Sequence, residues 1–140
     1  MIILDTNVLS EVMKPAPSPR VVRWLGQYPA LGLFTTAITQ AEILYGLELL
    51  PKGKRRTALQ ATVEALFAEE FAGRILTFDS DAAMVFPRIA CARRALGRPV
   101  TQLDTQIAAI AYAHNGAVAT RNTADFDGCG ITVLNPWHDE

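Results

Sequence analysis

Three acidic side chains stand where a folded chain could bring them together to act on a phosphate ester. Asp5 directly follows a short apolar run, and Glu42 and Asp104 lie in the first turns of two predicted helices. Grouped carboxylates repel one another, so such a cluster normally holds a cation. Because these groups offer only oxygen ligands, the expected ion is hard: Mg²⁺, with Mn²⁺ able to replace it. Such an ion would activate water and neutralise charge on a phosphodiester or phosphoester.

Each of these acids also has a structural interpretation. The pairs Thr39/Glu42 and Thr101/Asp104 match the capping box, in which the acid bonds back to the backbone N–H at the start of its helix. Asp5 could likewise cap a helix or close a turn. Taken singly, Glu42 and Asp104 are better explained as capping residues. Only the combination of the three acids favours a cation site.

The elements that would position the acids are strands alternating with helices. Five apolar runs of strand length are predicted: Met1–Leu4, Leu33–Thr36, Ile75–Phe78, Ala117–Thr120 and Ile131–Leu134. Helices are predicted after Asp5, over a stretch that contains Val21, Val22, Trp24 and Leu25 and reaches Gly26, and over Thr39–Leu50, Lys54–Glu70, Ser80–Leu96 and Thr101–His114. This alternation predicts an α/β fold, a three-layer α/β/α sandwich around a central, mostly parallel five-stranded sheet. Sites in such sheets form beyond the carboxyl ends of the strands, which is where the acids would meet.

Composition narrows the class of protein further. The chain has 140 residues, half of them apolar, which predicts a single domain over residues 1–140 and argues against disorder. The net charge of −1 predicts no polyanion partner, although a local basic patch could still bind nucleic acid. Cys91 and Cys129 are far apart, so two buried thiols are expected rather than a disulfide or a zinc site. With no membrane span or signal peptide expected, the predicted location is cytoplasmic.

Four sequence blocks, in order and covering nearly the whole chain, resemble the PIN-domain ribonucleases, and more closely the VapC/FitB-type toxins of toxin–antitoxin pairs. The blocks are ILDTN at residues 3–7, ITQAEILYG at 38–46, DTQIAA at 104–109 and ATRNTADF at 119–126. The resemblance implies a Rossmann-like sheet, metal-dependent cleavage of RNA, a homodimer, and inhibition by a cognate antitoxin through which alone DNA would be bound. It also implies that Asp5 and Asp104 are metal ligands and that Glu42 completes the acidic cluster.

One block departs from the family pattern. Many PIN domains have a fourth acid just after the strand that ends here at Thr120, whereas this chain has Asn122 there and Asp125 three residues later. Asn122 can orient water but adds no charge. Asp125 either supplies the missing carboxylate or caps a short segment. Either way, one firmly bound metal is expected rather than two.

Three further side chains are candidate substrate ligands. The hydroxyls of Thr6 and Thr120 could bind an acid or a phosphate, although such hydroxyls more often satisfy local backbone. Arg121 could bind a phosphate oxygen or pair with a carboxylate, and pairing is expected in the free protein.

Three other functions are also compatible with the sequence. A phosphatase with Asp5 as covalent nucleophile would want a second acid where Asn7 stands. A receiver-like signalling domain would use Asp79 as phosphoacceptor, although Asp79 is better explained as a helix cap. A third possibility keeps the PIN fold but acts mainly through antitoxin binding, in a groove formed by the helices around Trp24 and by the stripe Leu44, Leu47 and Leu50.

Overall fold

The computed structural model describes residues 1–139. In that range the chain forms five strands: β1 (Ile2–Leu4), β2 (Leu33–Thr36), β3 (Ile75–Leu76), β4 (Ala117–Ala119) and β5 (Val133–Leu134). The six α-helices of that range are α1 (Thr6–Val12), α2 (Pro19–Gly26), α3 (Ala37–Glu48), α4 (Lys54–Ala65), α5 (Ser80–Ala95) and α6 (Gln102–Ala113). A π-helical turn, Leu66–Glu70, extends α4, and two 3₁₀ turns span Ala30–Gly32 and Thr123–Asp125.

The sheet is parallel throughout, with strand order β3-β2-β1-β4-β5. The chain therefore extends the sheet from β1 in one direction and later returns to the other side of β1 with β4. This reversal opens a crevice at the carboxyl ends of β1 and β4, as in other open α/β sheets. The backbone N–H of Asp5 continues the ladder by donating to the carbonyl of Ala119 over 3.0 Å. The topology thus places the residues after both strands side by side.

Both faces of the sheet are covered, which confirms the three-layer prediction. Side chains alternate along each strand, so Ile3 and Val118 are buried against a core that includes α5 and α6. Their neighbours Leu4 and Ala119 are buried against the second core, which includes α1 to α4. The predicted strands are mostly apolar on both faces for this reason, and Thr35, Thr36 and Thr120 are buried with them. Within residues 1–139 no helix is both long and apolar enough to cross a bilayer.

Several predicted boundaries and one burial prediction were wrong. Strand β3 ends at Leu76, so Phe78 belongs to the connection before α5, where it packs edge-on against Phe86. Helix α3 begins at Ala37, because the hydroxyl of Thr36 accepts the Thr39 N–H. Cys129 is buried as expected, but Cys91 is exposed on α5.

The 3₁₀ turn Thr123–Asp125 is tied to α5 by a buried cation. Arg93 is only 4% exposed, and its guanidinium donates to the carbonyls of Ala124, at 3.0 Å, and Asp127. A hydrogen bond from a charged donor contributes about 2 kcal/mol. We therefore expect Arg93→Met to lower the free energy of unfolding by about 2 kcal/mol, measured by urea denaturation.

The matched control for Arg93 is its neighbour. Arg94→Met changes an exposed residue of the same helix and should alter the free energy of unfolding by less than about 0.5 kcal/mol. Equal effects of the two substitutions would show that Arg93 does not hold the turn.

Candidate active site

The crevice between β1 and β4 is a pocket of about 490 Å³. Asp5, Glu42 and Asp104 all line it, although they come from three different elements. The same pocket is lined by Lys14, Arg121, Asn122 and Trp137. The fold therefore brings together the three acids that the sequence separates by about a hundred positions.

Asp5 is the most buried of the three acids, at 4% exposure. Its carboxylate caps α1 by accepting the Thr6 N–H over 2.8 Å, and it also accepts the Thr120 hydroxyl over 2.8 Å and the Asn7 side-chain amide over 3.2 Å. Burial raises the pKa of Asp5, and these three hydrogen bonds oppose the rise. Asp5 is thus a helix cap and a pocket residue at once.

Glu42 does not cap α3, contrary to the prediction from its spacing. Because Thr36 caps α3, Glu42 lies in the second turn and does not form a box with Thr39. Its carboxylate instead accepts the hydroxyl of Thr6 over 3.0 Å. Burial, and then the negative charge of Asp5, raise the pKa of Glu42. The side chain is therefore held towards Asp5, the acid that follows β1.

Asp104 lies in the first turn of α6, and its backbone N–H donates to the Thr101 hydroxyl over 3.2 Å, as capping predicted. Its carboxyl is only half-buried. Its pKa is nonetheless raised to about 6, first by desolvation and then by the negative charge of Asp5, with smaller contributions from Asp125 and Glu42. Asp5, Asp125 and Glu42 thus lie near enough to Asp104 for their negative charges to act on its carboxyl.

The raised pKa of Asp104 makes stability depend on pH. The folded protein keeps this proton until about pH 6, whereas the unfolded chain releases it near the ordinary value of 3.8. Between these values the folded state binds more protons, so the free energy of unfolding falls as the pH rises, and the full loss is present above pH 6. Because water screens a half-buried group, we expect a loss of about 1 kcal/mol, measured by urea denaturation without divalent ions.

The control for this pH dependence is Asp104→Asn, which cannot titrate. Its free energy of unfolding should fall less as the pH rises, because the substituted amide has no proton to lose. The difference between the pH dependences of the two proteins therefore gives the contribution of Asp104, separate from those of Asp5 and Glu42. Parallel curves for the two proteins across this pH range would contradict the assignment.

Asn122 and Asp125 occupy different places around the pocket. Asn122 is exposed and lines the pocket, and its backbone N–H donates to the Thr120 hydroxyl over 3.0 Å. Asp125 is half-buried in the 3₁₀ turn, and its carboxylate does not cap that turn. Its negative charge raises the pKa of both Asp5 and Asp104. Asp125 therefore acts on the cluster through its charge.

The three candidate substrate ligands have distinct surroundings. The hydroxyls of Thr6 and Thr120 are engaged with Glu42 and Asp5, and Thr120 is fully buried. Arg121 is exposed, and the expected pairing with a carboxylate was wrong: among residues 1–139 no acid lies within 4.0 Å of its guanidinium. The guanidinium carbon instead lies 5.0 Å from the ring centre of Trp137.

Five pocket residues were not predicted as site residues: Asn7, Ser10, Glu11, Lys14 and Trp137. Asn7 joins the ends of β1 and β4, because its amide donates to Asp5 and Thr120 and its oxygen accepts the Arg121 N–H. Glu11 and Lys14 form an ion pair of 3.0 Å. Trp137 comes from the segment after β5. Only Asn7 carried a sequence signal, its place two residues after Asp5.

The donor set fits a hard, hydrated ion. Every candidate ligand is a carboxylate oxygen, and burial together with the charge of neighbouring acids raises the pKa of all three, so a cation would relieve an existing cost. Within the described range no three Asp, Glu, His or Cys side chains form a ready-made cage. Mg²⁺ needs none, since it keeps several waters and takes one or two carboxylates.

Comparison with known proteins identifies the family of this chain. The family profile described as "PIN domain" matches residues 2–128. Toxin FitB of Neisseria gonorrhoeae is 41% identical over 99% of this chain and all of that protein, and the VapC ribonuclease Y4jK of Sinorhizobium fredii is 40% identical over 98% of each. A solved structure of FitAB bound to the IR36 DNA fragment superposes with a TM-score of 0.93 at 41% identity, over 100% of this chain and 98% of that chain. The chain therefore belongs to the PIN-domain family, in the group of the FitB and VapC toxins.

Proposed function

We propose that this protein is a metal-dependent endoribonuclease, the toxin of a toxin–antitoxin pair, and that it hydrolyses phosphodiester bonds of RNA with Mg²⁺ or Mn²⁺. The observation that carries the proposal is the convergence of Asp5, Glu42 and Asp104 on one pocket, where the charge of Asp5 contributes to raising the pKa of the other two acids. The relative named as a VapC ribonuclease supports the nuclease class of reaction. The ion and the RNA substrate are the finer parts of the proposal.

The roles of the acids follow from how each is held. Asp5 is fixed by hydrogen bonds and Asp104 is open to solvent on one side, so both can ligate the ion while it keeps its waters. When bound, a divalent ion supplies a Lewis acid at the phosphate oxygens and lowers the pKa of water. Glu42 has a raised pKa and is oriented by Thr6, and it takes a proton from the attacking water.

The remaining site residues act around this centre. Asn122 offers an amide that can orient water at the pocket mouth. Asp125 adds negative charge behind the ligands and so favours cation binding. The hydroxyls of Thr6 and Thr120 position carboxylates rather than contact the substrate.

The phosphatase and the receiver-like signalling domain find less support in the structure. Asn7, which stands where a phosphatase would need its second acid, is engaged with Asp5, Thr120 and the Arg121 N–H. The carboxylate of Asp79 accepts the Ala82 N–H over 3.0 Å as the cap of α5, which leaves it in a structural role.

The direct test is incubation of the purified chain with total RNA in Mg²⁺, in Mn²⁺ and in a chelator. We expect cleavage with either ion and none with the chelator, and sequencing of the new ends would identify the target. Cleavage that persists undiminished in the chelator would overturn the metal dependence, and intact RNA under all conditions would overturn the nuclease proposal.

The antitoxin is the proposed protein partner. A cleft of about 470 Å³ between α1, α3 and α4 is lined by apolar groups including Met13, Ile43, Leu47 and Leu59. It shares Thr6 and Glu42 with the acidic pocket.

This cleft differs from the predicted groove. Trp24 is buried in the core at 2% exposure, and Leu44 does not line the cleft. We propose that a segment of the antitoxin occupies it, with DNA contacted only through the antitoxin and the toxin paired as a homodimer. Co-expression with the product of the adjacent gene should yield a stable complex, and failure to co-purify would contradict the partner.

A further inference from the structure

The acidic pocket also contains two cationic side chains. Lys14 and Arg121 line the same pocket as Asp5, Glu42 and Asp104. Lys14 is neutralised, because its ammonium lies 3.0 Å from the carboxylate of Glu11. Arg121 has no such partner among residues 1–139, and its guanidinium makes no hydrogen bond to another described residue. The Glu11 carboxylate is near enough for the charge of Arg121 to contribute to lowering its pKa, but the guanidinium N–H donors are available to a ligand.

Arg121 is nevertheless held in place. Its backbone N–H donates to the Asn7 side chain over 3.0 Å, and its guanidinium carbon lies 5.0 Å from the ring centre of Trp137. Stacking on an aromatic face restrains a guanidinium while leaving its in-plane N–H groups exposed. Those N–H groups are the donors that bind a phosphate in a bidentate manner.

Trp137 is fixed by the turn that follows β5. Its backbone N–H donates to the Asn135 side chain over 2.9 Å, and the Asn135 N–H donates to the Asp139 carboxylate over 2.7 Å. Arg20 of α2 donates to the carbonyl of His138 over 2.6 Å. The ring is half-buried against the core that contains Leu4 and Ala119. The turn is therefore anchored at several points and presents the ring to the pocket.

We propose that Arg121, supported by Trp137, is a phosphate-binding subsite for the RNA backbone beside the acidic cluster. Arg121 contacts a non-bridging oxygen of a phosphate, and Trp137 is a positioning residue that keeps the guanidinium at the pocket. This inference rests on the proposed ribonuclease function and extends it to how the substrate is held. A cationic donor next to the carboxylates also offsets their repulsion of a polyanion.

The test measures binding separately from cleavage. A fluorescently labelled single-stranded RNA is titrated with protein in Ca²⁺, under conditions where it stays intact, at several KCl concentrations. We expect Arg121→Gln to weaken binding about tenfold. The slope of log affinity against log salt should also fall by about 0.7, the value for one lost phosphate contact on a single strand. In cleavage assays with Mg²⁺, KM should rise and kcat should stay near the original value.

The Trp137 variants test the positioning role. Trp137→Leu should weaken RNA binding about threefold, and Trp137→Phe should restore most of it because an aromatic face remains. Trp137→Leu should have no further effect once Arg121→Gln is present, an interaction that a purely structural role would not produce. The control is Arg88→Gln, since Arg88 stacks 5.4 Å from the Tyr112 ring centre but does not line the pocket.

The outcomes separate this inference from the proposed function. If the original protein binds and cleaves RNA but Arg121→Gln leaves the salt slope unchanged, the subsite is refuted while the ribonuclease stands. Additive effects of the Arg121 and Trp137 substitutions would refute the positioning role alone. An equal loss in Arg88→Gln would assign the effect to general surface charge. A protein that neither binds nor cleaves RNA overturns both proposals.

Discussion

Asp104→Asn should reduce RNA cleavage by about a thousandfold while leaving a folded protein. The substitution keeps the shape of the side chain and removes one of the two charges proposed to ligate the ion. The Asp104 carboxylate forms few hydrogen bonds within the protein, and its pKa is raised to about 6 by burial and neighbouring acids. Removing its charge therefore relieves repulsion in the metal-free protein, so the loss of activity does not follow from unfolding.

Asp5→Asn should lose activity to the same extent, but with some loss of stability. An Asn amide would place N–H groups towards the Thr120 hydroxyl or the Asn7 amide, which now donate to the Asp5 carboxylate. The comparison of the two variants thus distinguishes lost ion binding from lost support of the strand ends.

The control for both acid variants is Asp81→Asn. Like Asp104, Asp81 is an acid in the first turn of a long helix, but it is exposed and lies outside the pocket. Its substitution should leave the cleavage rate within about twofold of the original, as expected of a surface change. Binding of Mn²⁺, followed by electron paramagnetic resonance, gives a second measurement that is independent of cleavage. Full activity of Asp104→Asn or Asp5→Asn with unchanged Mn²⁺ binding would remove the acidic cluster from the mechanism.

Thr120→Val should lower the free energy of unfolding at pH 7 by about 2–3 kcal/mol. The Thr120 hydroxyl is fully buried and donates to the Asp5 carboxylate over 2.8 Å, while it accepts the Asn7 amide at 3.2 Å and the Asn122 N–H at 3.0 Å. Valine fills the same volume but satisfies none of these groups. Burial already raises the pKa of Asp5, and loss of this donor would raise it further.

The same substitution should reduce cleavage by about 10- to 100-fold, the usual effect of removing a hydrogen bond that orients a metal ligand. Thr35→Val is the matched control, because Thr35 is also fully buried but donates only to the neutral carbonyl of Leu4, over 3.1 Å. It should cost about 1 kcal/mol and leave the rate unchanged. Thr120→Ser retains the hydroxyl and should retain most of the activity. Equal cleavage rates of Thr120→Val and Thr35→Val would show that Thr120 does not orient Asp5 for cleavage.

The fold class could be predicted because a parallel sheet that is buried on both faces has strands with a recognisable local sequence. Residues such as Ile3 and Leu4 point to opposite faces, yet both must be apolar, and this produces the short continuous runs that mark each strand. The acids at the carboxyl ends of these strands, including Asp5, were visible for a related reason: the connections that follow parallel strands meet at one edge of the sheet.

Other features depended on contacts between segments far apart in the chain. Glu42 matched a capping box by spacing, but the cap of α3 is Thr36, because the helix begins at Ala37, directly after β2, and not at the predicted Thr39. The partner of Arg121 could not be predicted either. An isolated arginine near acids is expected to pair with one, whereas the turn after β5 brings Trp137 beneath its guanidinium.

The sequence alone thus determined the apolar pattern of the core and the chemical types of the site residues. Both can be recognised from short stretches of the chain. The packing of β4 against β1 decided which side chains share the pocket, how strongly Asp104 holds its proton, and which groups orient Asp5. These properties vary with distances between residues about a hundred positions apart, such as Asp5 and Asp104, and such distances exist only once the sheet has formed.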